Sequence, residues 1–385
     1  MKNDVVKNKA LRDFEVWDRY DSLDKLFSID LELTARCNLN CRHCYINVPA
    51  GDFNSAIKEL TIDEIAHIAD QAIDMGAIWC LLSGGEPLLR KDFADIYMML
   101  KKKGLLISLF TNATLVNEKH IELFLKYPPR DIEITVYGVS EETYEKVTRR
   151  PGSLKSFKRG LDLLKENNLK FRLKAMALQS NMYEMDKIAE FCRTETKDYF
   201  RYDANLHLRY DRDPVRNQEI KSERLTPEQI TQIEGRDDER FEALQEHCEK
   251  YILSELGQES NTVFACGIGG GSVNIGYDGM LRLCSSLYHP DYMFDLRNGT
   301  IREALKKLVP RAKSLTSNKE RFLKNCRSCS LVNICQWCPA DAYLETGSLD
   351  EPVAHFCRVA HQRAAAVKHD NDEAPVQEKV LGCDR

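Results

Sequence analysis

Between residues 29 and 209 the chain alternates short apolar strands with amphipathic helices, and this repeat limits the fold more than any other feature. Strands are predicted at 29–35, 77–83, 105–110, 131–137, 170–177 and 200–209. The first intervening helix is the clearest. Thr61 and Glu64 form a capping-box pattern. Ile65, Ile68, Ala69, Ala72 and Ile73 share one face, and Gly76 supplies the stop. Further helices fit 93–103, 118–126, 157–167 and 183–194. Repeated β/α units imply a parallel sheet that curls, because such crossovers are right-handed. The class is α/β, and the site of such a sheet lies at the carboxyl ends of its strands.

At the end of the first strand stands Cys37-Asn38-Leu39-Asn40-Cys41-Arg42-His43-Cys44-Tyr45. Three thiolates in one short loop can hold a [4Fe–4S] cluster and leave one iron without a protein ligand. A zinc loop or a disulfide knot are the plain alternatives. Zinc wants a fourth protein ligand close by, and disulfides suit secreted chains. All fourteen Cys occur in a chain whose first twenty residues are heavily charged and which has no long apolar run. That pattern speaks against secretion and membrane spanning and for a reducing, cytoplasmic setting. The net charge of −5 gives no broad nucleic-acid-binding surface.

Three more rim segments follow later strands. Ser83-Gly84-Gly85-Glu86-Pro87 ends the second, where two glycines let the backbone approach a ligand. Thr111-Asn112-Ala113-Thr114 ends the third, as a hydrogen-bonding rim or a capped turn. Ile134-Thr135-Val136-Tyr137-Gly138 ends the fourth. Lys174 and Gln179-Ser180-Asn181 lie at the fifth strand's end, where Asn181 reads as a ligand contact or part of a polar loop. Lys101-Lys102-Lys103 ends a helix, Arg149-Arg150 sits in a loop, and 211–224 reads as a charged surface loop. Thr226-Pro227-Glu228 opens a helical segment, 228–256, that bridges to a second region.

In that second region cysteines crowd again. Cys266 is followed by Gly279, with Cys284 five residues later. Cys326-x-x-Cys329, Cys335-Gln336-Trp337-Cys338 and Cys357 come next. Residues 275–284 read as a hairpin turning at Asp278-Gly279. Two CxxC pairs alone would also suit a zinc ribbon.

Taken together these motifs resemble the radical S-adenosylmethionine (SAM) enzymes with a C-terminal SPASM extension. The carriers are CxxxCxxC with an aromatic before its last Cys, Gly-Gly-Glu-Pro after strand two, and the late cysteine array. The resemblance implies a partial (β/α)6 TIM-like barrel followed by a small Cys-rich domain. It divides the chain into a lead-in (1–28), a radical SAM core (29–224), a bridging helix (225–262), an auxiliary-cluster domain (263–362) and a polar tail (363–385). Three [4Fe–4S] clusters and SAM are the implied cofactors. Cys37, Cys41 and Cys44 would hold the SAM-binding cluster. In this family SAM chelates the open iron and is split to methionine and a 5′-deoxyadenosyl radical. His43, Tyr45, Gly84, Gly85, Glu86, Asn112 and Thr135 would contact SAM, Glu86 through the motif that engages its amino group. Tyr137 stands where many members have Asp. Cys266, Cys284 and Cys338 would bind the first auxiliary cluster, leaving it a vacant, non-Cys or unassigned position. Cys326, Cys329, Cys335 and Cys357 would bind the second. One departure is the two-residue gap between Cys335 and Cys338, where three is usual. The glycines of 267–271 suit backbone wrapped closely around a cluster.

By the same resemblance the substrate is a ribosomally made peptide or a protein, modified by C–H abstraction to give a thioether or carbon–carbon crosslink. A flavodoxin- or ferredoxin-type reductant would supply electrons, and a separate recognition protein would offset the short N-terminus. Tetrapyrrole modification in the haem d1 or alternative haem pathways is the alternative. Sulfatase-maturase-like oxidation fits less well, because Ser285 and Ser286 stand where those relatives place an Asp. Asp278, Asp341 and Glu345 are general-base candidates, each also readable as structural, so no catalytic residue is assigned. Cys80 and Cys192 read as small apolar fillers, with Cys248 and Cys383 left over.

Overall fold

The computed structural model describes residues 25–196, 200–253 and 261–371. The lead-in up to residue 24, the tail beyond 371 and Cys383 lie outside the described residues. Six parallel strands run in chain order: β1 Ser28–Thr34, β2 Trp79–Gly84, β3 Leu106–Thr111, β4 Asp131–Val136, β5 Arg172–Met176 and β6 Arg201–Asp203. The longer helices between them are α1 Ile62–Asp74, α2 Phe93–Lys102, α3 Glu118–Lys126, α4 Glu141–Thr148, α5 Ser153–Glu166 and α6 Met185–Thr196. This is the parallel α/β sheet that the alternation predicted. The Thr61–Glu64 capping box is present, and Ile65, Ile68, Ala69 and Ala72 are buried.

Strand alternation divides the sheet's two faces. Ile29, Leu31, Ile107, Leu109, Ile132 and Ile134 point under the helices and form the core. Cys80 and Cys192 are part of it. The opposite parity carries Asp30, Glu32, Glu133, Thr135, Lys174 and Arg201, which makes the other face polar. There Glu133 pairs with Lys174 at 2.5 Å and with Arg201 at 2.8 Å.

The sixth strand is shorter than predicted. Asn181 is fully buried and donates to the carbonyls of both Met176 and Tyr137. It thereby closes the ends of β4 and β5, and residues 204–209 lie outside the sheet. Asn181 is thus a structural plug. The predicted loop 211–224 is instead largely helix, α7 Pro214–Glu223, capped by Asp213 with Pro at its first turn. The predicted bridging helix is broken at Gly235 into α8 Pro227–Glu234 and α9 Asp238–Tyr251, because Asp237 caps the second piece.

The cysteine-rich region is joined to the barrel through the sheet itself. Strands β7 Ser272–Ile275, β8 Met280–Arg282 and β9 Met293–Asp295 extend it, with β7 parallel to β1. The β7–β8 turn is the one predicted, with Gly279 at φ 83°. Glu32 of β1 meets Arg282 of β8 at 2.7 Å, the side chains 3% and 2% exposed. Tyr288 adds its hydroxyl to Glu32, and its ring lies 3.9 Å from the Arg282 guanidinium. In the glycine run, the Gly271 carbonyl accepts from Phe27 and Ser28 at the foot of β1, and a Cβ on Gly269 would meet Val309. The longer helices of the region are α10 Ile301–Lys313, α11 Pro339–Thr346 and α12 Ala354–Asn371. No helix among the described residues is long and apolar enough to cross a membrane.

Candidate cluster site

The three cysteines sit in the loop that leaves the carboxyl end of β1. Cys37 and Cys41 are buried, and Cys44 is half-buried. Backbone N–H groups of Leu39 and Asn47 point at the Cys37 and Cys44 sulfurs, both at 3.4 Å. Burial pushes the Cys37 and Cys41 thiols well up, and neighbouring sulfurs add to the shift. Thiols held up in this way ionise only where a cation neutralises them. The donor set therefore fits a cationic iron–sulfur core. Among the described residues no three His, Cys, Asp or Glu side chains converge on a single metal ion. A four-iron cluster takes its ligands at separate corners.

Tyr137 lies under this loop. Its hydroxyl is within hydrogen-bonding reach of Cys41, and its ring is 5.4 Å from that of His43. Burial, then the charge of Arg216, brings the His43 imidazole down to about 4, so it is neutral at pH 7. The pair makes an aromatic wall. Tyr45 packs edge-on to His207 at 6.4 Å.

Gly84 and Gly85 are there for the approach of two backbones. A Cβ on Gly84 would stand 2.2 Å from the Thr34 carbonyl oxygen, and one on Gly85 2.4 Å from that of Arg36. The N–H of Gly85 donates to Thr34 at 2.6 Å and that of Glu86 to Arg36 at 2.9 Å. The motif thus grips the root of the cysteine loop. Glu86 is fully buried. Its carboxylate accepts from Leu88 N, Thr111 Oγ1 and Asn112 N at 3.1, 2.7 and 2.8 Å. It ties the ends of β2 and β3 together.

Burial nevertheless pushes the Glu86 carboxyl from 4.5 up to about 7. The folded state then binds this proton more tightly than the unfolded chain. The stability it contributes is whole below 4.5 and is lost as pH rises through about 7. Urea midpoints of the metal-free protein should fall between about pH 5 and 8 relative to those of Glu86→Gln, which does not titrate. Parallel pH profiles for the two proteins would contradict this.

Asn112 turns its amide to Cys37 Sγ at 3.7 Å and to Asn38 at 3.1 Å, while Thr114 bonds both Asn112 and Asn38. The β3 rim therefore also holds the cysteine loop. Thr135 is half-buried on the polar face, in register with Lys174.

In the C-terminal region Cys326, Cys329, Cys335 and Cys357 line one cavity, walled by Leu331, Val332, Trp337 and Val353. Cys248 is buried beside it with Leu331 and Ile334. Cys338 is half-buried; burial, then the Asp341 charge, raises its thiol, and Cys284 adds a smaller share. Cys266 is exposed and within electrostatic reach of Arg327. Asp341 lies between the Cys338 sulfur, at 3.2 Å, and His207 Nδ1, at 2.5 Å. Glu345 pairs with Arg224, and Asp278 accepts from Met280 N in the hairpin turn. Asn47, His207, Arg209 and Arg216 were missed in the sequence. Only Arg209 carried a signal, as a basic residue at the end of a predicted strand.

The Radical SAM superfamily model matches residues 31–192, the segment that runs from within β1 to within α6 and includes the cysteine loop. The chain carries a radical SAM domain. Two relatives frame it. The AdoMet-dependent heme synthase of Methanosarcina barkeri is 32% identical over 166 residues, 42% of this chain and 46% of that protein. The match thus spans less than half of the synthase's own length. The subtilosin biosynthesis protein AlbA of Bacillus subtilis is 24% identical over 330 residues, 80% of this chain and 70% of that protein. Among solved structures, Streptococcus suis SuiB bound to precursor peptide SuiA superposes with a TM-score of 0.65 at 15% identity, over 89% of this chain and 78% of that one. The anSMEcpe structure with bound AdoMet gives 0.62 at 14%, over 90% and 97%. At these identities the structures establish the fold: the partial barrel of radical SAM enzymes with a cysteine-rich C-terminal region. A radical SAM domain implies a [4Fe–4S] cluster and SAM as cofactors.

Proposed function

We propose that this radical SAM enzyme carries two auxiliary clusters and modifies a ribosomally made peptide by C–H abstraction, forming a thioether or carbon–carbon crosslink. The observation that carries the auxiliary-cluster part is the single cavity lined by Cys326, Cys329, Cys335 and Cys357. The peptide part draws support from AlbA, whose alignment runs through both regions, and from SuiB with its precursor peptide. When bound, the cluster and SAM supply an electron and a carbon-centred radical.

Every other role belongs to the chain. Cys37, Cys41 and Cys44 hold the cluster. Gly84, Gly85 and Glu86 fix the rim against it, and His43, Tyr45, Asn112 and Thr135 line SAM. Leu39, Tyr137 and His43 keep water from the sulfurs. Cys266, Cys284 and Cys338 hold the first auxiliary cluster and the four cavity cysteines the second. A flavodoxin- or ferredoxin-type protein reduces the clusters in the cytoplasm, and a separate recognition protein presents the peptide. The boundaries 29–224 for the core and 263–362 for the auxiliary region follow the same reading, although β7 pairs directly with β1.

The test is to read the neighbouring open reading frames for a short Cys-rich peptide and to incubate that peptide anaerobically with SAM, dithionite and the enzyme. Loss of two hydrogens in the peptide mass is the expected outcome; an unmodified peptide alongside 5′-deoxyadenosine release contradicts the substrate. The heme synthase relative favours one other reading, tetrapyrrole modification. Conversion of a porphyrin substrate in the same assay, with the peptide untouched, would select it.

A further inference from the structure

The segment 38–47 contains no helix or strand, yet the sulfurs of Cys37, Cys41 and Cys44 must keep fixed relative positions. One side of it is held by the end of α4, where Asn40 N donates to Thr148 O at 2.9 Å and Arg42 N to Val147 O at 3.1 Å. The other side is held by two guanidinium groups. Arg216 of α7 donates through Nη2 to the Cys41 carbonyl at 3.0 Å and to Asn47 Oδ1 at 3.2 Å. Arg209, itself buried, donates through Nη1 to the Asn47 carbonyl at 3.0 Å and more weakly to Oδ1 at 3.4 Å. Asn47 is the keystone between them. Its N–H points at Cys44 Sγ, and its side-chain amide reaches back to Leu39 O at 3.3 Å.

We propose that Arg209 and Arg216 are positioning residues that clamp the cysteine loop and set the potential of the cluster it carries. This rests on the radical SAM reading of that loop. Each arginine is anchored from behind, Arg209 by Asp211 at 2.6 Å and Arg216 by Glu219 at 2.7 Å. The carboxylates therefore lie beyond the guanidinium groups as seen from the loop carbonyls. The cation is the nearer charge, and Cys44 is among the groups that favour the charged form of Arg209. A cation close to a cluster favours its reduced, more negative state, and hydrogen bonds around ligands tune potential as much as ligand identity does. Removing the Arg216 guanidinium takes one positive charge from beside the loop, while Glu219 stays in place on Arg149.

The clamp can be read without any metal. Amide exchange over residues 38–47 in the metal-free protein reports the opening of the loop. Losing a charged hydrogen bond to a carbonyl should raise that exchange about tenfold in Arg216→Gln. Arg216→Lys, which keeps the charge and one donor, should fall between Arg216→Gln and wild type. Lys221→Gln, on the same helix but facing Glu345, should match wild type. In the reconstituted protein, redox titration followed by electron paramagnetic resonance should place the Arg216→Gln potential below wild type and the Arg216→Lys potential near it. Wild-type exchange and wild-type potential in Arg216→Gln would overturn the proposal. So would a lowered potential in Lys221→Gln, which would make the effect a general one of surface charge. If wild type takes up no cluster, the radical SAM reading has failed, while the exchange arm still decides the clamp.

Discussion

Gly85→Ala should cost the protein its SAM-binding cluster. The new Cβ would stand 2.4 Å from the Arg36 carbonyl oxygen and 2.5 Å from that of Ala35. Both neighbours are backbone, so neither can rotate away. Relief requires β2 to part from the segment leading into Cys37, which also breaks the Glu86 N–H bond to Arg36. Overpacking of this kind costs about 3 kcal/mol. The cysteine loop moves with its root. After anaerobic reconstitution the variant should hold about four fewer iron atoms per chain than wild type. Its yield of 5′-deoxyadenosine should fall by well over tenfold. Full iron content with undiminished SAM cleavage would show that the rim does not need this contact.

The second large effect concerns the joint between barrel and cysteine-rich region. Arg282→Met leaves Glu32 buried without its cation. Breaking a buried pair from one side costs about 3–5 kcal/mol. Because Glu32 belongs to β1, the loss should reach the whole nine-stranded sheet. Urea unfolding of the metal-free variant should show one transition at a clearly lower midpoint. Adding Glu32→Gln should recover part of the loss, since the stranded charge is then gone. If the region after residue 262 were an independent unit, the barrel transition would stay where it is and only a minor one would move.

That joint shows where the sequence stops being readable. The apolar alternation of Ile29, Leu31 and Leu33 and the Thr61 capping box are local signals, and they gave β1 and α1 with little error. The pairing of β1 with Ser272–Ile275 has no local signal, because the partners lie more than 240 residues apart. A hairpin was legible from Asp278-Gly279; its place in the barrel sheet was not. Helix α7 was hidden for a different reason. Its buried residues are Asn217, Ile220 and Glu223, so it carries no apolar stripe, and the charged run Asp211 to Arg224 looked like solvated loop. The cap at Asp213-Pro214 was the signal available.

The cysteine spacing was the most informative part of the chain, since ligand number and separation are written directly in it. What spacing could not supply is how the loop is held. Glu86 was read by resemblance as a SAM contact, and in the fold its carboxylate also bonds Thr111 and Asn112 across to β3. Asn112 likewise turns its amide to Cys37. Both roles depend on which strand ends are neighbours, and that is a property of the folded sheet.

One measurement tests the central claim most directly. The wild-type chain and a Cys37→Ala/Cys41→Ala/Cys44→Ala variant are purified without air, assayed for iron and acid-labile sulfide, and incubated with SAM and dithionite. The account predicts about twelve iron per wild-type chain and about eight in the variant, with 5′-deoxyadenosine formed by wild type alone. Equal SAM cleavage by both proteins, or zinc in place of iron in wild type, would contradict it.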